Sequence, residues 1–296
     1  KRFIRNIIKI FFKNFSFNSV VLNKNHQEII SKLNSEGFAK FEDIKINQNK
    51  IEKIKKDIIN FKVYPSHIPI SAPSNLINFE EAKKKSNFAS YQLTDLLTIK
   101  EFKEIIFSQE IKNIAYHFFG HLPVISNINL YWSFCNCSAQ GPQMYHRDLD
   151  DFKVLNFFSN LTDTTVDNGS YKYIIGSHDR ERIKEKIDYL DDNFFINSTS
   201  GYGLESLIRD EDIVCNEKEY YGNSGAIMVA NGYCLHKAVK PKKNDRLVLW
   251  ITFNSFFSCY EIRKIPFVKR INYNLVKEYF EDNLVNRYLY RNIIDF

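Results

Sequence analysis

The chain has 296 residues, a formal net charge of +6, 44% hydrophobic and 26% charged side chains, and 15% aromatics. Such a balance belongs to a globular protein and excludes disordered and low-complexity classes. No apolar run reaches the roughly 18 residues a membrane span needs, and so mild a basic excess marks no nucleic-acid binder.

Five cysteines, with no C-x-x-C pair, are read as reduced thiols of a cytoplasmic protein. Cys135 and Cys137 could form a clip but lack a second ligand pair at zinc-like spacing.

Residues 1–13, KRFIRNIIKIFFK, alternate basic and apolar side chains at helical spacing. Such a helix packs on the body of the protein or lies on an anionic membrane surface, so residues 1–20 are a candidate peripheral membrane contact. A short helix is expected over 25–34, ending at Gly37, then a strand over 38–44 and a helix over 49–61. Three prolines make 64–79 a loop. Apolar spacing predicts one long helix over 100–119, closed by Gly120.

The period then changes. Ile128, Leu130, Trp132 and Phe134 alternate with Asn127, Asn129, Tyr131 and Ser133, which marks a strand with two unlike faces. Further strands are expected over 153–161, 171–175, 226–230 and 246–254, with turns at Asn168-Gly169 and 241–245. The charged stretch 179–192 reads as a solvated helix or a lid. Short strands separated by turns indicate a jelly-roll sandwich or barrel, with the N-terminal helices covering one sheet. The chain is read as one domain: an amphipathic start (1–22), a mostly helical part (23–121), a β core (122–260) with an insertion at 179–221, and a C-terminal extension (261–296).

The chemistry centres on His146-Arg147-Asp148. In extended backbone His146 and Asp148 point the same way and can present a nitrogen and an oxygen to one point. A third donor is needed, and His236, ninety residues later and just after a strand, is a candidate. Two histidines and one carboxylate leave coordination positions open, the pattern of non-haem Fe(II) oxygenases. Arg246 follows His236 across a turn and starts the face Arg246, Val248, Trp250, Thr252, Asn254. That face is expected to line a cavity, while Leu247, Leu249, Ile251 and Phe253 pack outward. A buried arginine needs a partner, and a dicarboxylate co-substrate would provide one.

These phrases resemble the phytanoyl-CoA dioxygenase-like branch of the Fe(II)/2-oxoglutarate oxygenases. The matching residues are His146-Arg147-Asp148, the segment from Asn168-Gly169 to Gly176-Ser177-His178, and His236 followed by Arg246; the likeness covers roughly residues 25 to 255. The resemblance implies a double-stranded β-helix of cupin-like, jelly-roll type. It implies Fe(II) held by His146, Asp148 and His236, and 2-oxoglutarate held by Arg246. It further implies use of O2, with 2-oxoglutarate converted to succinate and CO2. Because Asp148 is retained, hydroxylation is expected rather than halogenation. The substrate would be a small molecule, a lipid or a glycan precursor.

Around this set, Lys153, Tyr131 and Thr252 are candidate co-substrate contacts, Trp250 a pocket residue, and Gln143 and Tyr145 candidate substrate contacts. His178 is expected to hold the turn after its strand. His26, His67, His117 and His121 have no partner pattern. Two other readings stay open: a catalytically silent jelly-roll binding module, and a zinc hydrolase, which would leave Arg246 without a role.

Overall fold

The structure is a computed structural model that describes residues 23–68, 76–136, 138–148, 151, 153–179, 216–255 and 270–296. The expectations for 1–22 and for most of the insertion at 179–221 fall outside these residues.

The helical part begins with α1 (Lys24–Ser35), whose start is fixed by the Asn23 side chain accepting from the His26 amide at 2.8 Å. Strand β1 (Phe38–Lys45) and helix α2 (Gln48–Ile58) follow, the latter burying Ile51, Ile54 and Ile58. After β2 (Val63–Tyr64), α3 (Phe79–Lys85) carries Glu80 and Glu81 in its first turn and Lys83, Lys84 and Lys85 in its last, the charge order that suits a helix dipole. Strand β3 (Phe88–Tyr91) and the short α4 (Leu93–Leu96) come next.

The long helix expected over 100–119 is two helices, α5 (Lys100–Ile106) and α6 (Gln109–Phe119), separated by an extended Ser108. The sequence carries the reason. A continuous stripe from Phe102, Ile105 and Ile106 would next need apolar residues at 109 and 110, which are Gln109 and Glu110. The stripe resumes out of phase at Ile111, Ile114, Ala115 and Phe118, and a break lets both segments bury their apolar side.

The β part supplies β4 (Val124–Ser133), β5 (Val154–Asn160), β6 (Tyr171–Ile174), β7 (Glu217–Tyr220), β8 (Ala226–Asn231), β9 (His236–Ala238) and β10 (Arg246–Asn254). A seven-stranded antiparallel sheet has the order β1-β8-β5-β10-β4-β3-β2, and a three-stranded sheet the order β7-β6-β9. Helix α7 (Leu284–Tyr290) and the pair β11 (Ile271–Asn272) and β12 (Ile294–Asp295) close the described chain. The architecture is mainly β with flanking helices, a large antiparallel sheet facing a small one, consistent with a jelly-roll layout.

The two faces of the large sheet have different neighbours. Leu247, Leu249, Ile251 and Phe253 of β10 join Ile128, Leu130, Leu155 and Phe157 in the main core, which includes apolar residues of α1, α2, α5 and α6. The opposite face looks toward the small sheet. There Phe38, Met228 and Ala230 meet Tyr171 and Tyr173, and the cavity opens beside them. No helix among the described residues is long and apolar enough to cross a membrane.

Candidate metal centre and cavity

His146 follows a short 3-10 turn (Gly141–Gln143) and pairs with the start of β9. Its amide donates to the His236 carbonyl at 3.0 Å, and the His236 amide donates back at 3.0 Å. This backbone exchange brings together two histidines far apart in sequence, with ring centroids 4.3 Å apart. The Asp148 amide donates to the Gly232 carbonyl at 2.8 Å, which ties the carboxylate to the turn between β8 and β9. A Cβ on Gly232 would stand 2.9 Å from the Cβ atoms of Asp148 and Val154, so only glycine permits that approach.

The turn before His146 is held by Gln143, which is buried. Its side-chain oxygen accepts from Asn87 Nδ2 at 3.0 Å and from the Gln140 amide at 3.1 Å, and its Nε2 donates to Ser133 Oγ at 3.0 Å. Gln143 therefore anchors the loop and does not face the cavity. Tyr145 is fully buried; its hydroxyl donates to Glu217, and the Lys237 ammonium sits 4.2 Å from its ring centroid.

His146 Nε2 lies 3.6 Å from Asp148 Oδ1, and His236 Nε2 lies 3.6 Å from Asp148 Oδ2. One donor atom from each of the three residues falls within 4.8 Å of the others, the single such group among the described residues. Each Nδ1 faces a backbone carbonyl, Met144 at 2.8 Å for His146 and Cys234 at 2.7 Å for His236. A carbonyl only accepts, so each Nδ1 carries a proton and each Nε2 is the nitrogen turned to the shared point. Burial, with His236 alongside, pulls the His146 pKa well below the usual range and keeps its ring neutral. Burial pushes the Asp148 pKa up, opposed by His236 and by a hydrogen bond from Asn156. Two imidazole nitrogens and a carboxylate converging on one point fit a divalent metal.

His146, Asp148 and His236 lie on the wall of a cavity between the two sheets. The large sheet contributes Tyr131, Phe158, Met228, Val248 and Trp250; the small sheet contributes Tyr171. Arg246 also lines it and is 3% exposed. Its Nη1 donates to the Ser170 carbonyl at 3.1 Å, while its Nε is buried without a hydrogen-bond partner. Burial lowers its pKa, with Tyr131 acting in the opposite direction. A guanidinium held by one carbonyl in an apolar cavity leaves donors for an anion. Gly169 makes room for it: at φ +83°, an added Cβ would lie 2.3 Å from the Val239 carbonyl oxygen and 2.8 Å from Arg246 Nη1.

The other expected contacts divide. Tyr131 lines the cavity. Thr252 is buried, and its hydroxyl donates to Asn156 Oδ1 at 2.8 Å. Lys153 lies elsewhere: its ammonium sits 3.7 Å from the centroid of the Phe118 ring and donates to the Phe118 carbonyl. The sequence placed Lys153 at a strand start but carried no sign that the end of α6 would receive it. His178 Nε2 donates to the Asn34 carbonyl at 3.1 Å, joining the turn after β6 to α1.

Three further residues belong to the site, none of them a candidate from the sequence. His67 lines the cavity and stands edge-on to Phe88 at 5.3 Å between ring centroids. Tyr171 stacks on His236, 5.4 Å between centroids at 23°, with its hydroxyl buried and unpartnered. Asn156 joins Asp148 to the large sheet.

No family model matches the sequence, and no curated protein matches it. Solved structures do resemble the fold. SnoN, described as a non-heme alpha ketoglutarate dependent epimerase from nogalamycin biosynthesis, superposes with a TM-score of 0.52 at 11% identity, over 77% of this chain and 82% of its own. HygX from Streptomyces hygroscopicus, solved with nickel and 2-oxoglutarate bound, gives a TM-score of 0.52 at 13% identity, over 80% of this chain and 89% of its own. SnoN was also solved with Fe3+, alpha ketoglutarate and nogalamycin RO, with a TM-score of 0.51 at 10% identity over 77% of this chain and 82% of its own. At these identities the likeness concerns the fold. The neighbours hold a metal and 2-oxoglutarate, and this chain has a His-Asp-His group able to hold a metal.

Proposed function

We propose that the chain is a single-domain non-haem Fe(II)- and 2-oxoglutarate-dependent dioxygenase of the phytanoyl-CoA dioxygenase-like branch, with a double-stranded β-helix core, that hydroxylates a small-molecule, lipid or glycan-precursor substrate. One observation carries this reading: the His146, Asp148 and His236 donors share a cavity with Arg246, whose buried guanidinium has an unsatisfied Nε. SnoN and HygX, whose structures hold metal and 2-oxoglutarate, lend the fold-level analogy.

When bound, Fe(II) with 2-oxoglutarate and O2 supplies the oxidising chemistry, with succinate and CO2 as co-products. The chain's own residues bind, orient and exclude water. His146 Nε2, His236 Nε2 and Asp148 would hold the metal. Arg246 binds the distal carboxylate of 2-oxoglutarate, replacing a poorly matched site with a charge-assisted pair. Tyr131, on the same wall, is the second co-substrate contact. Lys153 and Thr252 drop out of that role, since Phe118 and Asn156 engage them. Phe158, Met228, Val248 and Trp250 keep the remaining space apolar, which strengthens every charged contact inside it.

The test is 2-oxoglutarate turnover by Fe(II)-loaded protein across small-molecule, lipid and glycan-precursor substrates. Succinate formation coupled to a hydroxylated product is the expected result. A protein that neither retains iron nor forms succinate with any substrate would be the silent binding module instead. Peripheral membrane contact through residues 1–20 is a separate part of the proposal. Deleting those residues should weaken binding to anionic liposomes, and unchanged binding would remove it.

A further inference from the structure

Asn156 sits in the middle of β5, fully buried, with Thr252 of β10 and Ala230 of β8 as its cross-strand partners. Its side-chain oxygen accepts two hydrogen bonds, from Trp250 Nε1 at 2.9 Å and from Thr252 Oγ1 at 2.8 Å. Its Nδ2 donates to Asp148 Oδ2 at 2.5 Å. An indole N–H only donates, so it fixes which end of the amide is oxygen. Turned over, the amide would set an NH2 against the Trp250 N–H and a carbonyl against a carboxylate. Two donors on β10 thus leave Asn156 a single orientation, with its NH2 aimed at Asp148.

We propose that Asn156 is a positioning residue for the metal centre, fixing the orientation in which the Asp148 carboxylate stands between His146 and His236. The inference rests on the metal-centre reading and extends it to an unassigned residue. One consequence follows. The orientation of Asp148 becomes dependent on Thr252 and Trp250 through the shared amide. Thr252 is thereby given a role at the site without touching a ligand itself. A buried amide serving only sheet packing would be equally well satisfied by any donor set, and would leave metal affinity unaltered when removed.

Co(II) titration of the metal-free protein distinguishes the two. The readings are the dissociation constant and the visible absorption spectrum of bound Co(II), with near-UV circular dichroism as the check on folding. Asn156→Ala is expected to weaken Co(II) binding about 10- to 100-fold and to alter the spectrum. Thr252→Val, which leaves Asn156 and Asp148 in place, is expected to move both readings in the same direction by less. A folded Asn156→Ala protein with wild-type affinity and spectrum overturns the proposal. Should Asn156→Ala not fold, Thr252→Val decides alone, and wild-type affinity there overturns it. His146→Ala separates this failure from that of the metal reading. If it too binds Co(II) as the wild type does, the metal centre itself is wrong.

Discussion

Strand β10 runs between two regions that treat polar groups in opposite ways. On its helix side, Leu247, Leu249, Ile251 and Phe253 enter a core of aliphatic and aromatic side chains. On its cavity side, Arg246 is buried with its Nε unsatisfied, and Trp250 and Thr252 direct their donors into a chain that ends on Asp148. The first region is organised to be stable by itself. The second is organised to be completed by something else. A strand whose period is two lets one segment serve both, because each step along it changes sides.

That contrast predicts which substitutions change stability and which change binding. The largest expected effect is at the metal group: His146→Ala should abolish metal retention and 2-oxoglutarate turnover, while thermal unfolding of the metal-free protein stays close to wild type. On the helix side the pattern inverts. Phe253→Ala, fully buried against Phe157 at 5.6 Å between ring centroids, should cost about 3–5 kcal/mol in denaturant unfolding, with metal affinity of the folded fraction preserved. Arg246→Met should weaken 2-oxoglutarate binding by about 2–5 kcal/mol, read by calorimetry on metal-loaded protein. In the metal-free protein the same substitution should be neutral or stabilising, since it removes a buried charge without an acidic partner. Gly169→Ala should cost about 1–3 kcal/mol of stability through its positive φ and should also raise the KM for 2-oxoglutarate by displacing Arg246. Smallest of all, Lys153→Met should leave that KM unchanged; a clear rise would return Lys153 to the co-substrate site.

The alternation of β10 was legible because every second residue is apolar without exception, and the sides it predicted are the sides observed. The approach of His236 to His146 and Asp148 was legible through the family resemblance, and its means, a reciprocal backbone bridge between the two histidines, was not. The break at Ser108 was present in the sequence as a phase slip at Gln109 and Glu110, masked by the strong apolar content on either side. Asn156 could not be found from the sequence, because Val-Leu-Asn-Phe-Phe reads as a buried strand, and a polar residue there gains meaning only once Trp250, Thr252 and Asp148 surround it. His67 was hidden for a related reason. It lies in a loop, where no periodicity says which way a side chain points.

Titrating metal-free protein with Fe(II) under anaerobic conditions, and then with 2-oxoglutarate, puts the shared cavity to its most direct test. One metal ion per chain should bind, 2-oxoglutarate should bind only after it, His236→Ala should lose both events, and Arg246→Met should lose mainly the second. Binding of Fe(II) undiminished in His236→Ala, or of 2-oxoglutarate undiminished in Arg246→Met, would show that these side chains do not form one site.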